Sequence, residues 1–278
     1  MSFLSSLARA TRTLRPATSR RLVSSISNQT TRKSYRSLAC GAAFGVAAYL
    51  TLSSNGVHMD SIVEAPPVVQ AVPEETIVDP ATSIAFPKSM KIPSNLKIPP
   101  LTLVGVGVRT VSFLGVKVYS IGFYADLSSS TLKIPLDISP EEKIDYIVRN
   151  TACVIRIVPT RNTSYTHLRD AFMRAMHARL SAGIKDGSIT QEMAMDVASP
   201  LRTLKGLFPN SPLAKHTPLD IFLAAPLHNR QRPLVFRDLG SIESDWVATE
   251  FVLNYFDTSA PSPALKTAAF ENMKSFAK

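Results

Sequence analysis

Gly105, Gly107 and Arg109 stand two residues apart within a run, residues 101–127, that is rich in Val, Ile and Tyr. Two-residue alternation around a short connection near 113–115 predicts two β-strands. On the first strand Thr102, Val104, Val106, Val108 and Thr110 share one face, and Leu103, Gly105, Gly107, Arg109 and Val111 share the other. Two successive glycines on a face clear a lane in which a ligand or another backbone can approach closely. At the end of that lane Arg109 offers a permanently charged fork suited to an oxyanion. The other reading of the same residues is a bulge or bend marked by glycine and a solvated arginine at the rim. A nucleotide loop is excluded, because no third glycine follows at the required spacing and no helix opens after the pair.

Other reactive residue types form no recognisable set. The five histidines (58, 167, 177, 216 and 228) contain no i, i+4 pair, so no metal site is expected. Cys40 lies in an apolar segment and Cys153 in a strand-like run, where a cysteine acts as a small buried hydrophobe. Glu141 and Glu142 follow Ser139-Pro140, a helix-capping arrangement and not an acid–base pair. There is no Ser-His-Asp constellation.

The chain has 278 residues and a net charge of +10. Eight basic residues (Arg9, Arg12, Arg15, Arg20, Arg21, Arg32, Lys33 and Arg36) precede Asp60, the first acidic residue, leaving only +2 for the remainder. The basicity belongs to a leader, which argues against nucleic-acid binding. Residues 1–37, rich in Arg and Ser and free of Asp and Glu, have the composition of a mitochondrial transit peptide. Residues 38–53 form an apolar segment whose uncharged run would cover about 22 Å as a helix, against roughly 30 Å of hydrocarbon. Following a transit peptide, it reads as an inner-membrane anchor that leaves the domain facing the intermembrane space, with a matrix location as the alternative. Residues 54–95 read as a proline-rich tether with some residues packed near its end.

Residues 96–278 read as one α+β domain. Helices are expected from Ser139, over 165–182, from 188–191 to a break near Pro200, over 241–255 and over 264–276. Strands are expected over 151–158, 219–225 and 234–237. This order predicts an open antiparallel sheet covered by helices on one face.

The hairpin Gly105-Val-Gly-Val-Arg109, continued by Gly115-Val-Lys-Val-Tyr119-Ser-Ile-Gly122-Phe-Tyr124, resembles the opening hairpin of the chalcone isomerase family. The similarity runs from about residue 96 to 276. Together with the leader it resembles the family's fungal mitochondrial branch, the altered-inheritance-of-mitochondria proteins. Chalcone isomerase closes a phenolate onto an enone, and the resemblance implies that Arg109 would neutralise the developing enolate. It places Tyr165 on the family's helix tyrosine, Tyr119 where the family has a threonine, Phe172 where it has a substrate-reading asparagine, and Ser241 near its late threonine. Loss of that amide argues against the flavonoid reaction. Non-enzymatic members of the fold bind fatty acids, with the arginine on the carboxylate. The resemblance therefore implies an apolar carboxylated ligand, a fatty acid or a tetrapyrrole with propionates, held by Arg109, Tyr119, Tyr165, Phe172 and Ser241. No cofactor is required, although a single histidine could ligate haem. The alternatives are an intramolecular lyase that uses Arg109 and Tyr165 on an unknown enone-like substrate, and an assembly protein with a vestigial pocket.

Overall fold

The structure, a computed structural model, describes residues 75–93, 98–111 and 114–278. The transit-peptide reading, the apolar segment 38–53 and the first part of the tether lie outside the described residues. Among the described residues no helix is long and apolar enough to cross a membrane.

The chain enters through three short strands, β1 (Thr76–Val78), β2 (Ala85–Pro87) and β3 (Ser89–Met90), followed by the long hairpin of β4 (Leu101–Val111) and β5 (Val116–Ala125). Next come α1 (Pro140–Asn150), β6 (Cys153–Pro159), β7 (Thr163–Ser164), α2 (Tyr165–Asp186) and α3 (Gln191–Gly206). The chain closes with β8 (Pro212–Leu213), β9 (Leu219–Leu223), β10 (Pro233–Phe236), β11 (Gly240–Glu243), α4 (Asp245–Leu253) and α5 (Pro263–Lys274). Seven strands make one antiparallel sheet in the order β11-β10-β9-β6-β5-β4-β3.

The sheet buries both faces, unequally. Ile121 and Phe123 of β5, Ile155 and Ile157 of β6 and Ile221 of β9 alternate onto the face that all five helices cover. Tyr124, Val154 and Val158 point the other way, into a smaller core with Phe86 and Met90 from the entering strands. The end of the expected tether is thus part of the domain. β3 pairs with β4, and Phe86 is wholly buried in the space left by Gly122, where a Cβ would lie 2.7 Å from its ring. Prolines stop long ladders but allow these strands of two or three residues, and apolar positions between the prolines supply the burial.

Caps define the helices, at Ser139 as the sequence predicts and at Thr190 instead of Ser188 for α3. Ser139 and Glu142 form a reciprocal capping box on α1, and Ser164, Thr190, Ser244 and Ser262 each accept from the backbone N–H three residues on. Two further expectations are corrected. α3 runs through Pro200 unbroken, held by burial of Val197, Leu201 and Leu204 on one stripe. Residues 240–243 are not helical but form the edge strand β11, paired with β10, and Ser244 starts α4 only afterwards. Asp238 and Gly240, both at positive φ, make the turn that joins the two strands.

Candidate functional site

Alternation along β4 is interrupted by a bulge between Leu103 and Gly105. Leu103 therefore sits in the smaller core, whereas Val104, Gly105 and Gly107 face the helices. The lane cleared by the glycines is filled by α5. A Cβ on Gly105 would lie 2.9 Å from the backbone nitrogen of Ala269, and one on Gly107 would run into that of Leu265. The glycines admit a helix backbone, and beside it they line a separate cleft of about 520 Å³ with residues 77–81. Side chains of α5 complete the join, with Asn272 Nδ2 donating to Val104 O at 2.9 Å and Ser262 Oγ to Val108 O at 2.7 Å.

Arg109 lies just past this packed stretch, directly opposite Tyr119 of β5. Its Nη1 donates to Tyr119 Oη at 2.7 Å, and the guanidinium carbon stands 5.5 Å from the ring centroid. Among the described residues no carboxylate pairs with it. Two clefts meet there and share Arg109, Ala171 and Arg174. The inner one, of about 540 Å³, runs between α2 and the α4–α5 connection and is also lined by Phe172, Tyr255 and Thr258. The rim cleft, of about 580 Å³, is lined by Val111, Val118, Tyr119, Arg161, Ser164 and His167 and contains no acidic residue.

The polar groups at the junction differ in how far they are committed. Burial holds the Tyr119 phenol above its usual range, with the Arg109 charge opposing the shift. Tyr255, 1 % exposed, is pushed well up by burial, reinforced by Tyr119 and opposed by Arg109. Both are neutral donors at physiological pH, and Tyr119 still has its own proton to give because its oxygen accepts from Arg109. Arg179 is committed to Glu250 and Asp257. Arg174, on exposed helix surface, makes no ion pair among the described residues; the carboxylate one turn before it, Asp170, is paired with Arg169.

The residues proposed from sequence separate. Arg109, Tyr119 and Phe172 are brought together. The Phe172 ring floors the inner cleft while packing 5.0 Å from Phe251 and 5.7 Å from Phe208, so it is also a core residue. Tyr165 opens α2 and lays its ring, partly buried, on the main core, but lines neither cleft. Ser241 is misplaced by the sequence reading. It is exposed on β11, five strands from β4 and therefore about 24 Å away across the sheet. The late hydroxyl residues that line the site are Thr258 and Ser259, in the α4–α5 connection. Sequence reasoning also missed Arg174 and Tyr255. Arg174 carried a signal, an arginine six residues past Leu168 and off the apolar stripe of its helix, but Tyr255 reads only as the end of an apolar helix. Cys153 is buried, and burial pushes its thiol up to about 12.

This arrangement has known relatives. A family profile described as chalcone isomerase like matches residues 99–136 and 133–270. The chain belongs to the chalcone isomerase-like family. An uncharacterised protein of Schizosaccharomyces pombe is 30% identical over a stretch covering 29% of this chain and 38% of that protein. A mitochondrial protein of Eremothecium gossypii, altered inheritance of mitochondria protein 18, is 31% identical over 27% of this chain and 34% of its own length. The chain thus matches little more than a third of these curated relatives. Among solved structures, a fatty-acid binding protein of Arabidopsis thaliana superposes with a TM-score of 0.54 at 19% identity, covering 72% of this chain and 98% of that one. The chalcone isomerase-like fold accounts for the open antiparallel sheet and its helical layer.

Proposed function

We propose that the domain binds an apolar molecule carrying a carboxylate, a fatty acid or a tetrapyrrole with propionates, and does not isomerise flavonoids. The observation that carries this reading is Arg109, whose only partner among the described residues is the Tyr119 hydroxyl, at the junction of two clefts. Its free donors, with the Tyr119 and Tyr255 protons, suit one carboxylate, and Arg174 on the shared wall suits a second. Phe172 and Ala175 give the inner cleft an apolar wall for the ligand body. The fatty-acid binding protein that shares the fold supports the same direction. For a tetrapyrrole, His167 on the rim is the histidine that lines these clefts.

An intramolecular lyase would use Arg109 as the electrophile, but at position 172 a phenyl ring locked among Phe208 and Phe251 reads no substrate hydroxyl. The leader composition and the mitochondrial relative support a mitochondrial location. We place the domain in the intermembrane space behind an anchor at 38–53; protection from protease added to mitoplasts would move it to the matrix.

The test is organic extraction and mass spectrometry of the full chain purified from its native host, beside Arg109→Gln. A stoichiometric acid or tetrapyrrole retained by the native protein and reduced about tenfold to a hundredfold by the substitution is expected, as for loss of a charge-assisted pair. Equal recovery from both proteins, or none from either, overturns the reading.

A further inference from the structure

The hairpin tip and the turns beside it form a surface whose charge and polarity differ from the rest of the domain. Thr160 Oγ1 donates to Lys117 O at 2.9 Å, His216 N to Pro159 O at 2.9 Å and Lys215 N to Asn162 Oδ1 at 2.9 Å. These bonds tie the β4–β5 hairpin, the β6–β7 turn and the β8–β9 connection into one end of the molecule. The segments that build it, residues 98–125, 151–169 and 197–219, contain no Asp or Glu. They place Lys117, Arg161, Lys215 and His216 there, all exposed. Of the nearby carboxylates, Asp79 is buried and bonded by Ser120 and Thr82, Asp170 is paired with Arg169 and Asp220 with Arg156, while Asp196 is exposed on α3.

The opposite end of the same hairpin runs into residues 126–145, which hold Asp126, Asp137, Glu141, Glu142 and Asp145. The domain is therefore electrically polarised along β4 and β5, within a net charge of +5 over residues 75–278 (23 Lys and Arg against 18 Asp and Glu). At the basic end Leu114, beside the Gly115 turn, is 73 % exposed, and Val111 is exposed next to it. An apolar tip ringed by lysine and arginine suits the boundary between headgroups and acyl chains, where the tip enters and the cations meet phosphates. A nucleic acid would leave the leucine in water. Val111, Arg109 and Arg161 also line the rim cleft, so the tip stands at its mouth.

We propose that this end of the domain docks on an anionic phospholipid bilayer, with Leu114 in the interface and Lys117, Arg161 and Lys215 on headgroups. The surface alone carries this proposal, whatever occupies the clefts. Docking would put the mouth of the rim cleft against the membrane, where an apolar acid could pass without crossing water.

The test uses residues 67–278, which form one compact unit without the basic leader. They are co-sedimented with phosphatidylcholine vesicles with and without phosphatidylglycerol. Binding that requires phosphatidylglycerol and weakens with salt is expected. Lys215→Glu should lower it about thirtyfold, and Leu114→Ser about tenfold. Lys185→Glu carries the same charge change about 30 Å along α2 from its start and should change binding less than about twofold. Thermal melts of each variant confirm folding, and all three positions are exposed. Equal losses for Lys215→Glu and Lys185→Glu, or indifference to phosphatidylglycerol, overturn the proposal. So does equally tight binding to soluble polyglutamate that ignores Leu114→Ser, which would assign the surface to an acidic protein.

Discussion

Arg232 and Arg109 bring the same head group into the fold with opposite outcomes. Arg232, just before β10 and 3 % exposed, donates to the carbonyl oxygens of Ala224, Val148, Arg149 and Thr151 and to Thr249 Oγ1. Three of those carbonyls stand at the C-terminal end of α1, where a cation meets the negative pole of the helix. Lys143 does the same for α5, its buried ammonium donating to Met273 O, Lys274 O and Phe276 O. Arg109 donates to one phenol and faces open cleft. A buried cation whose donors are taken by carbonyls, most of them at a helix end, is scaffold, whereas one left with donors to spare is a site.

That contrast can be broken experimentally. Arg232→Met strands several buried carbonyls at about 1–3 kcal/mol each, so a loss of about 4 kcal/mol and a melting point lower by about 10 °C are expected. A wild-type melting point would remove the basis for calling Arg232 scaffold. Gly107→Ala pushes a methyl into the α5 backbone and should cost about 2–3 kcal/mol in chemical denaturation. If it costs nothing, α5 is not seated on β4 as described. Arg109→Gln, by contrast, should move stability by less than about 1 kcal/mol while ligand retention falls. A large destabilisation would return Arg109 to the scaffold class. Among the described residues the buried Tyr124 hydroxyl has no partner, so Tyr124→Phe should be neutral or stabilising by up to about 1 kcal/mol.

The smallest effect is silent at neutral pH. The Cys153 thiol, ordinarily near 9.0, is raised to about 12 by burial, with the Arg232 charge opposing the rise. Below pH 9 the thiol is protonated in both folded and unfolded chains and its contribution is complete. As pH climbs from 9 toward 12 the unfolded chain releases its proton first, so stability is lost across that window. Cys153→Ala should flatten that part of the alkaline unfolding curve. In the native protein at neutral pH the thiol should resist disulfide-exchange reagents, and rapid labelling would contradict its burial.

Much of the scaffold was legible because its signals are local. Ser139-Pro140-Glu141-Glu142 announces a capped helix whatever it packs against, and the valine-rich run around Arg109 announces a hairpin. The site was less legible because its parts come from distant segments. Tyr255 is separated from Arg109 by most of the domain, and nothing in its neighbourhood distinguishes a core tyrosine from a cleft one. Ser241 shows the converse error: a hydroxyl at a plausible distance along the chain lies on the wrong edge of the sheet because a four-residue strand precedes α4.

The sequence by itself determined the leader composition, the starts of α1 and α2, the hairpin, the family and the arginine at its centre, all of which follow from residue types and short spacings. Only the tertiary structure decided what the glycines are for, because two close glycines accept a ligand and a helix backbone equally well until α5 is seen resting on them. It also decided that Phe86 and Met90, in a stretch dense with prolines, belong to the domain, since their burial depends on Gly122 and Tyr124 across the sheet. The committed and uncommitted cations were separated at the same level, because alternation predicts which way a side chain points but not how many carbonyls await it.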